Sequence, residues 1–305
     1  MKKCNIAVIL TCYNRKKLTV ASLSSLFLAR RLYNEGGGRQ LALSVYLTDD
    51  GCSDGTADAV LTEFPKEEIH IVQGTGSLYW AGGMRLAWKE ALKDREKWDF
   101  YLLINDDTLF CDNTFAELMR VHEYACQNDG RPGLYSGVCS SLDGKEITYG
   151  GKVYSFPLIG KAVTLKPNGV PQPCEMANAN ILLISNEVVD SIEIFDEVYQ
   201  HSNADWAYSI EARKKGFPLY ITGVVCGRCD FDHDSYDDEQ KKIKKMSISE
   251  RRAYFDHPLR ATRDRLNFMR KYQKSKFLLL YIARLMNIFF PSVYYSLIKR
   301  RPHTL

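Results

Sequence analysis

Acidic residues gather at two points where an apolar run gives way to turn-forming residues. Asp49-Asp50 closes one run, ahead of Gly51-Cys52-Ser53-Asp54-Gly55, and Asp106-Asp107 closes another, behind Asn105. Carboxylates at the end of a buried strand have fixed positions, and two side by side repel unless a positive charge neutralises them. A divalent cation does this well, since Mg²⁺ and Mn²⁺ favour oxygen ligands and are commonly shared with substrate phosphates. Asp is also an ordinary turn former and cap. Either pair alone is open to that reading; the two in this order favour the cation. A third carboxylate, Asp205, opens an amphipathic helical stretch, where the positive helix end favours an anion and a helix N-cap is the competing role. Between the acidic pairs lies the stretch Gly74 to Arg85, rich in small residues ahead of a helix. Such a stretch lets backbone amides approach an anionic group, or is simply a flexible turn. Cys226 and Cys229 with His233 hint at zinc, but no second Cys/His pair at usable spacing completes a site.

These residues need a scaffold, and the hydrophobic pattern supplies one. Residues 5–12 are a continuous β-branched apolar run suited to a strand buried on both faces. Helical spacing follows over 17–33, then strands at 41–48, 69–73 and 100–105 alternate with helices at about 56–64 and 82–95. Strand–helix alternation with polar residues at the carboxyl ends of strands predicts an α/β fold with a mainly parallel, Rossmann-like sheet flanked by helices. Ligands bind such sheets at those ends. Beyond 134 the chain reads as shorter strands and loops, including an apolar run at 180–184, then a helix at about 204–215 and a strand at 218–226.

At 305 residues, with 45% hydrophobic and 26% charged residues, the chain has ordinary globular composition and ample core. Disorder and collagen-like repeats are excluded. The formal charge of +4 hides an asymmetry. From Lys241 onward 17 Lys/Arg face 3 Asp/Glu, while residues 1–240 hold 24 basic and 34 acidic residues. That split predicts two parts with different jobs, a sheet domain over 1–240 and a basic, amphipathic helical C-terminal region over 241–305. Nine irregularly spaced cysteines argue against a disulfide framework and for a reducing compartment. The first residues lack the pattern of a signal peptide, so the expected location is cytoplasmic.

With the acidic pairs in place, a wider pattern emerges. Val8-Ile9-Leu10-Thr11-Cys12-Tyr13-Asn14-Arg15, then Thr48-Asp49-Asp50-Gly51-Cys52-Ser53-Asp54-Gly55-Thr56, then Asn105-Asp106-Asp107 resemble the family 2 glycosyltransferases, of the bacterial rhamnosyltransferase-like kind, over roughly residues 4–235. The resemblance implies a GT-A fold and inverting transfer from a nucleotide-sugar. It implies that Thr11, Tyr13 and Asn14 belong to the nucleotide-sugar site and that Asp50 accepts a hydrogen bond from the base N3–H. Asp107 would ligate Mn²⁺ or Mg²⁺ bridging the diphosphate, with Asp106 near the ribose or a metal-bound water. Gly82, Gly83 and Arg85 would lie against the nucleotide-sugar, and His233 would be a further metal or phosphate ligand. Asp205 would be the catalytic base. Two positions depart from the family: Asn105 stands where an acid is usual, and Ala204 replaces the commoner acid beside Asp205.

The chemistry asks for such groups. Transfer passes through an oxocarbenium-like state while charge builds on the leaving phosphate, which a metal ion stabilises as a Lewis acid. A carboxylate on the opposite face takes the acceptor hydroxyl's proton, a contribution of roughly 10²–10⁴-fold. A sugar nucleotidyltransferase is the first alternative, but would want a basic glycine-rich loop after the first strand. A non-catalytic membrane-associated nucleotide-sugar-binding protein is the second. A dinucleotide oxidoreductase is disfavoured by the absence of Gly-x-Gly-x-x-Gly after strand one.

Residues 277–298 are strongly apolar and carry basic flanks at Lys274, Lys276, Lys299, Arg300 and Arg301. Polar residues at 284, 287, 292 and 296 form a narrow stripe and Pro291 interrupts the run, which favours a helix lying in the membrane interface over a span of about 20 residues. A helix packed on the catalytic domain is the alternative. Nucleic-acid binding fits poorly, because the most apolar part has no basic interleaving. The expected partners are therefore a UDP- or dTDP-sugar donor, a glycan or lipid-linked saccharide acceptor, and the inner face of the cell membrane.

Overall fold

A computed structural model describes residues 3–37, 39–156, 161–231 and 236–297. The first half alternates strand and helix: β1 (Cys4–Cys12), α1 (Lys16–Glu35), β2 (Leu41–Asp49), α2 (Thr56–Glu63), β3 (Glu68–Gln73), α3 (Tyr79–Ala91), β4 (Phe100–Ile104). Then come β5 (Leu109–Phe110), α4 (Thr114–Asp129), β6 (Leu134–Ser140), β7 (Ile147–Tyr149), β8 (Gly151–Phe156) and β9 (Lys161–Thr164). The series continues with β10 (Gln172–Pro173), β11 (Met176–Ala177), β12 (Ile181–Ser185), α5 (Asn186–Ile192), α6 (Ala204–Lys214) and β13 (Leu219–Arg228). The C-terminal region holds α7 (Tyr236–Lys245), α8 (Ile248–Asp256), α9 (Thr262–Tyr272), α10 (Lys274–Phe289) and α11 (Pro291–Leu297).

The principal sheet has the order β10-β13-β6-β12-β4-β1-β2-β3, with β5 and β7 at its margin, while β11, β8 and β9 make a small second sheet. Strands β3, β2, β1 and β4 are parallel; β12 runs against both β4 and β6, and β6 pairs parallel with β13. The long strands are apolar on both sides because both faces are covered. Ala7, Ile9, Tyr101 and Leu103 pack with Met84 and Trp88 of α3 and with α6. Ile6, Val8, Leu10 and Leu102 pack with Leu23 and Leu26 of α1 and with α4.

The chain leaves β1 toward β2 and β3 on one side and returns to β4 on the other. The carboxyl ends of β1 and β4 therefore diverge at a switch point, where such sheets open a crevice. Those ends carry Cys12-Tyr13 and Asn105-Asp106-Asp107.

In the basic C-terminal region, α8 and α9 are parted by a short 3₁₀ turn at Pro258–Arg260. Phe268 of α9 is buried in the same core cluster as Tyr208 and Trp88, so the packed body continues past residue 240. The apolar run breaks where Pro291 opens α11, a first-turn position that costs proline nothing. Among the described residues no helix is long and apolar enough to cross a membrane. Leu278, Leu279, Phe290 and Leu297 are each more than 60% exposed.

Candidate active site

Asp50 leaves the end of β2 with its backbone N–H on the Cys12 carbonyl at 3.1 Å. Its carboxylate gathers the β3–α3 loop: Oδ1 accepts from the Gly76 N–H at 2.8 Å, and Oδ2 from Leu78 at 2.9 Å and Tyr79 at 3.2 Å. Two of these donors start α3, so the carboxylate also meets the positive end of that helix. The loop can close this tightly because Gly51 and Gly76 adopt φ of 83° and 81° and a Cβ on Gly51 would stand 3.0 Å from the Gly76 Cα. A carboxylate offers about four acceptor positions; three here serve the protein.

Asp106 and Asp107 follow β4 and are bridged from the turn between β1 and α1. The Arg15 guanidinium reaches Asp106 Oδ1 at 3.2 Å and Asp107 Oδ2 at 2.7 Å. Burial pushes Asp106 up to about 7; Arg15 opposes the rise and Asp107 adds to it. The Cys229 thiol donates to Asp107 Oδ1 at 3.4 Å. Asn105 has structural work instead of a ligand's: its Oδ1 accepts the Trp80 indole N–H at 2.9 Å. That bond gives a neutral amide a reason to stand where an acid was expected.

A cavity of about 440 Å³ opens over these groups, within the range of small-molecule sites. Thr11, Cys12, Tyr13, Arg15, Asp50 and Asp106 line it from the sheet side. Gly76, Tyr79, Trp80, His201, His257 and Leu259 close it from the loops. Tyr79 holds a φ of 56°, a region where non-glycine residues are uncommon, and its ring meets those of His201 and His257 edge-on at centroid distances of 6.4 and 5.8 Å.

Asp205 sits in the first turn of α6, buried. Its Oδ2 accepts the Ala179 N–H at 3.1 Å and Oδ1 the Trp206 N–H at 2.8 Å. Burial pushes it up to about 6 against these donors and the charge of Lys152, whose Nζ lies 4.6 Å from the Trp206 ring centre. A short relay connects it to the other acids. Ala179 precedes Asn180, whose carbonyl takes the Asn105 N–H at 3.4 Å and whose side chain donates to Cys229 at 3.6 Å, next to Asp107. Asp205 does not itself line the cavity above Asp50 and Asp106.

Of the expected site residues, Thr11, Tyr13, Asp50 and Asp106 meet at that cavity, with Asp107 behind Arg15. Four others are placed differently. Asn14 is a clamp: at φ 53°, its Oδ1 accepts the Ser53 N–H at 2.7 Å and pins the turn after β2. Gly82 and Gly83 serve packing. A Cβ on Gly83 would stand 2.2 Å from the Thr11 Oγ1, and one on Gly82 3.2 Å from the Leu78 Cβ. Arg85 points away, donating to the Tyr199 carbonyl at 2.6 Å and that of Asp196 at 3.2 Å, and lines a separate cavity. The structure does not bring Arg85 together with Asp50 and Asp106: it is not among the residues lining their cavity. His233 lies outside the described residues.

The sequence reading missed Arg15, Trp80, His201 and His257 as cavity residues. Arg15 stood inside the quoted motif and was passed over; His257 carries no local signal at all. Among the described residues no group of three His, Cys, Asp or Glu is arranged to hold a divalent cation. Asp107 is a single carboxylate paired with Arg15 and is not among the residues lining the cavity, so an ion there would need oxygen ligands from a bound molecule as well.

No protein-family profile matches the chain, and no curated protein matches it. Among solved structures it is similar to S. aureus TarS 1-349 in complex with UDP-GlcNAc, at 12% identity and a TM-score of 0.51, over 98% of this chain and 76% of that one. TarS 1-349 without that ligand in its description gives 13% identity and a TM-score of 0.48 over the same shares. The chain has a GT-A glycosyltransferase fold. GalNAc-T7 with UDP, GalNAc and Mn²⁺ is similar at 13% identity and a TM-score of 0.49, over 74% of this chain but only 43% of that one. In a GT-A fold the crevice beyond β1 and β4 is the place where a ligand would bind, and it is where the cavity lies.

Proposed function

We propose that the chain is an inverting glycosyltransferase, similar to the family 2 enzymes of the rhamnosyltransferase-like kind. It moves a sugar from a UDP- or dTDP-sugar to a hydroxyl of a glycan or lipid-linked saccharide. The observation that carries this reading is the convergence of Asp50, Asp106 and Arg15 on one cavity at the sheet's switch point. The nucleoside enters against Asp50 and Tyr13, with the diphosphate toward Arg15 and Asp107. Asp107 would hold Mn²⁺ or Mg²⁺, with His233 as a further candidate ligand, and that ion would supply Lewis-acid stabilisation of the leaving phosphate.

Asp205 takes the acceptor's proton. Its carboxyl is raised to about 6 by burial, which makes it a stronger base than an exposed aspartate while leaving it ionised near neutrality. His201 and His257 wall the donor side, and Trp80 orients the end of β4 through Asn105. The exposed apolar residues of α10 and α11, beside a basic tail, support attachment at the inner face of the cell membrane. Anionic lipid adds about 1 kcal/mol per nearby Lys or Arg.

The test is release of UDP or dTDP from a panel of nucleotide-sugars given lipid-linked saccharide acceptors, with Mn²⁺ or Mg²⁺ present. Turnover by the parent chain and none by Asp205→Asn is the expected result. Pyrophosphate release from a sugar phosphate and a nucleoside triphosphate would overturn it.

A further inference from the structure

Two adjacent carboxylates at the end of a buried strand require a positive partner, and this chain supplies its own. Arg15 spans Asp106 and Asp107 with one guanidinium nitrogen on each. Its backbone is fixed on both sides: Asn14 is clamped to Ser53, and the Lys16 N–H donates to Asp54 at 2.9 Å. Its side chain, by contrast, is 36% exposed and faces the cavity. Asp107 has its second oxygen engaged by the Cys229 thiol. A divalent cation approaching Asp107 alone would meet both oxygens in use and a full positive charge within contact distance, a repulsion that falls only with distance and dielectric.

We propose that Arg15 is an exchangeable counter-ion. It neutralises Asp106 and Asp107 while the donor site is empty. It passes to phosphate oxygens when a nucleoside diphosphate arrives with a divalent cation that takes over Asp107. A guanidinium fork suits a phosphate as well as a carboxylate pair, so Arg15 exchanges one set of charge-assisted bonds for another without crossing the cavity. Cation and nucleotide then bind with positive coupling, and the coupling is reciprocal. This rests on the reading of the cavity as a nucleoside-diphosphate site.

Mn²⁺ binding to the full chain, followed by the free-ion resonance signal with and without saturating UDP, tests it independently of turnover. In the parent chain UDP tightens Mn²⁺ binding by about tenfold, within the usual range of such couplings. Arg15→Gln binds Mn²⁺ without nucleotide several-fold more tightly than the parent and loses most of the coupling. Arg15→Lys, a point charge that cannot bridge both acids, lies between the two and carries the test if the Gln variant fails to fold by circular dichroism. Unchanged or weaker Mn²⁺ binding by Arg15→Gln without UDP overturns the proposal, as does the absence of Mn²⁺ binding to either protein. If UDP has no effect on the parent yet Arg15→Gln tightens Mn²⁺, the counter-ion role stands and the donor reading falls. If UDP binds the parent and Arg15→Gln leaves Mn²⁺ untouched, the donor reading stands and this one falls.

Discussion

Asp264 holds His201 from 63 residues further along the chain: its Oδ2 accepts the His201 backbone N–H at 2.7 Å. The same carboxylate also accepts from Gln200 and Ser202, so one buried side chain of α9 fixes the loop that leads into α6. Asp264→Ala leaves three donors without that acceptor. Hydrogen bonds to charged groups contribute about 1.5–3 kcal/mol each, partly shared here. We expect unfolding in urea to show a loss of about 3 kcal/mol, together with weaker UDP binding from a loosened His201 wall. Unaltered stability would mean the loop is held by other contacts.

Asp205→Asn should reduce transfer by at least about 10²-fold, the low end of what general-base catalysis contributes. UDP affinity by calorimetry should stay within about twofold of the parent, since Asp205 does not line the cavity over Asp50 and Asp106. Equal turnover in the variant would remove Asp205 from the mechanism.

The same residue sets a pH signature. A base works ionised, so the single-turnover rate should climb with pH through about 6 and then level off. Stability moves the other way. Between the ordinary Asp value near 4 and about 6, the folded chain keeps a proton that the unfolded chain has lost. Stability therefore falls as pH rises through that window, on the order of 3 kcal/mol for about two units. Asp205→Asn should make this slope shallower without abolishing it, since Asp106, pushed up to about 7, contributes with the same sign over the same range. Denaturant titrations from pH 4 to 7 on both proteins check it.

Gly83→Ala forces a methyl group onto the Thr11 side chain, with atoms at 2.2 and 2.7 Å. Overpacking of this kind costs about 1–3 kcal/mol, and the shift of α3 off β1 should weaken UDP binding as well. Adding Thr11→Ala removes the nearest atom, so the double variant should melt above the Gly83→Ala single. Strictly additive melting shifts would refute direct contact.

Leu279→Glu with Phe290→Glu charges the exposed apolar face of α10 and α11. The parent should co-sediment with vesicles rich in anionic lipid and less with neutral ones, and the double variant should stay in the supernatant while remaining folded. Equal sedimentation of the two proteins would leave this face for another purpose.

Much of the scaffold could be read in advance because strands buried on both faces announce themselves as unbroken apolar runs, and their ends are marked by acids and glycines. Residues 5–12, 41–48 and 100–105 fall within a residue or so of β1, β2 and β4. Asp50 and Asp106 could be placed because each ends such a run. Other roles depended on distance in the fold. Nothing local tells that Arg85 turns to the Tyr199 carbonyl or that Asn105 receives Trp80. The carboxylate pair was read as needing a divalent cation, and the possibility of a guanidinium three residues past β1 escaped notice because pairing across strands is not visible in one dimension. Glycines 82 and 83 looked like ligand contacts for a related reason: close approach of backbone is recognisable, but what approaches is not.

His257 reaches the cavity over Asp50 and Asp106 from a turn that lies between α8 and α9. On the ribosome, β1, β2 and β4 emerge long before that turn exists. The growing polypeptide can thus assemble its acidic crevice early yet must wait for its last fifth to wall it in, and a nascent chain halted before residue 257 would present that crevice open to water.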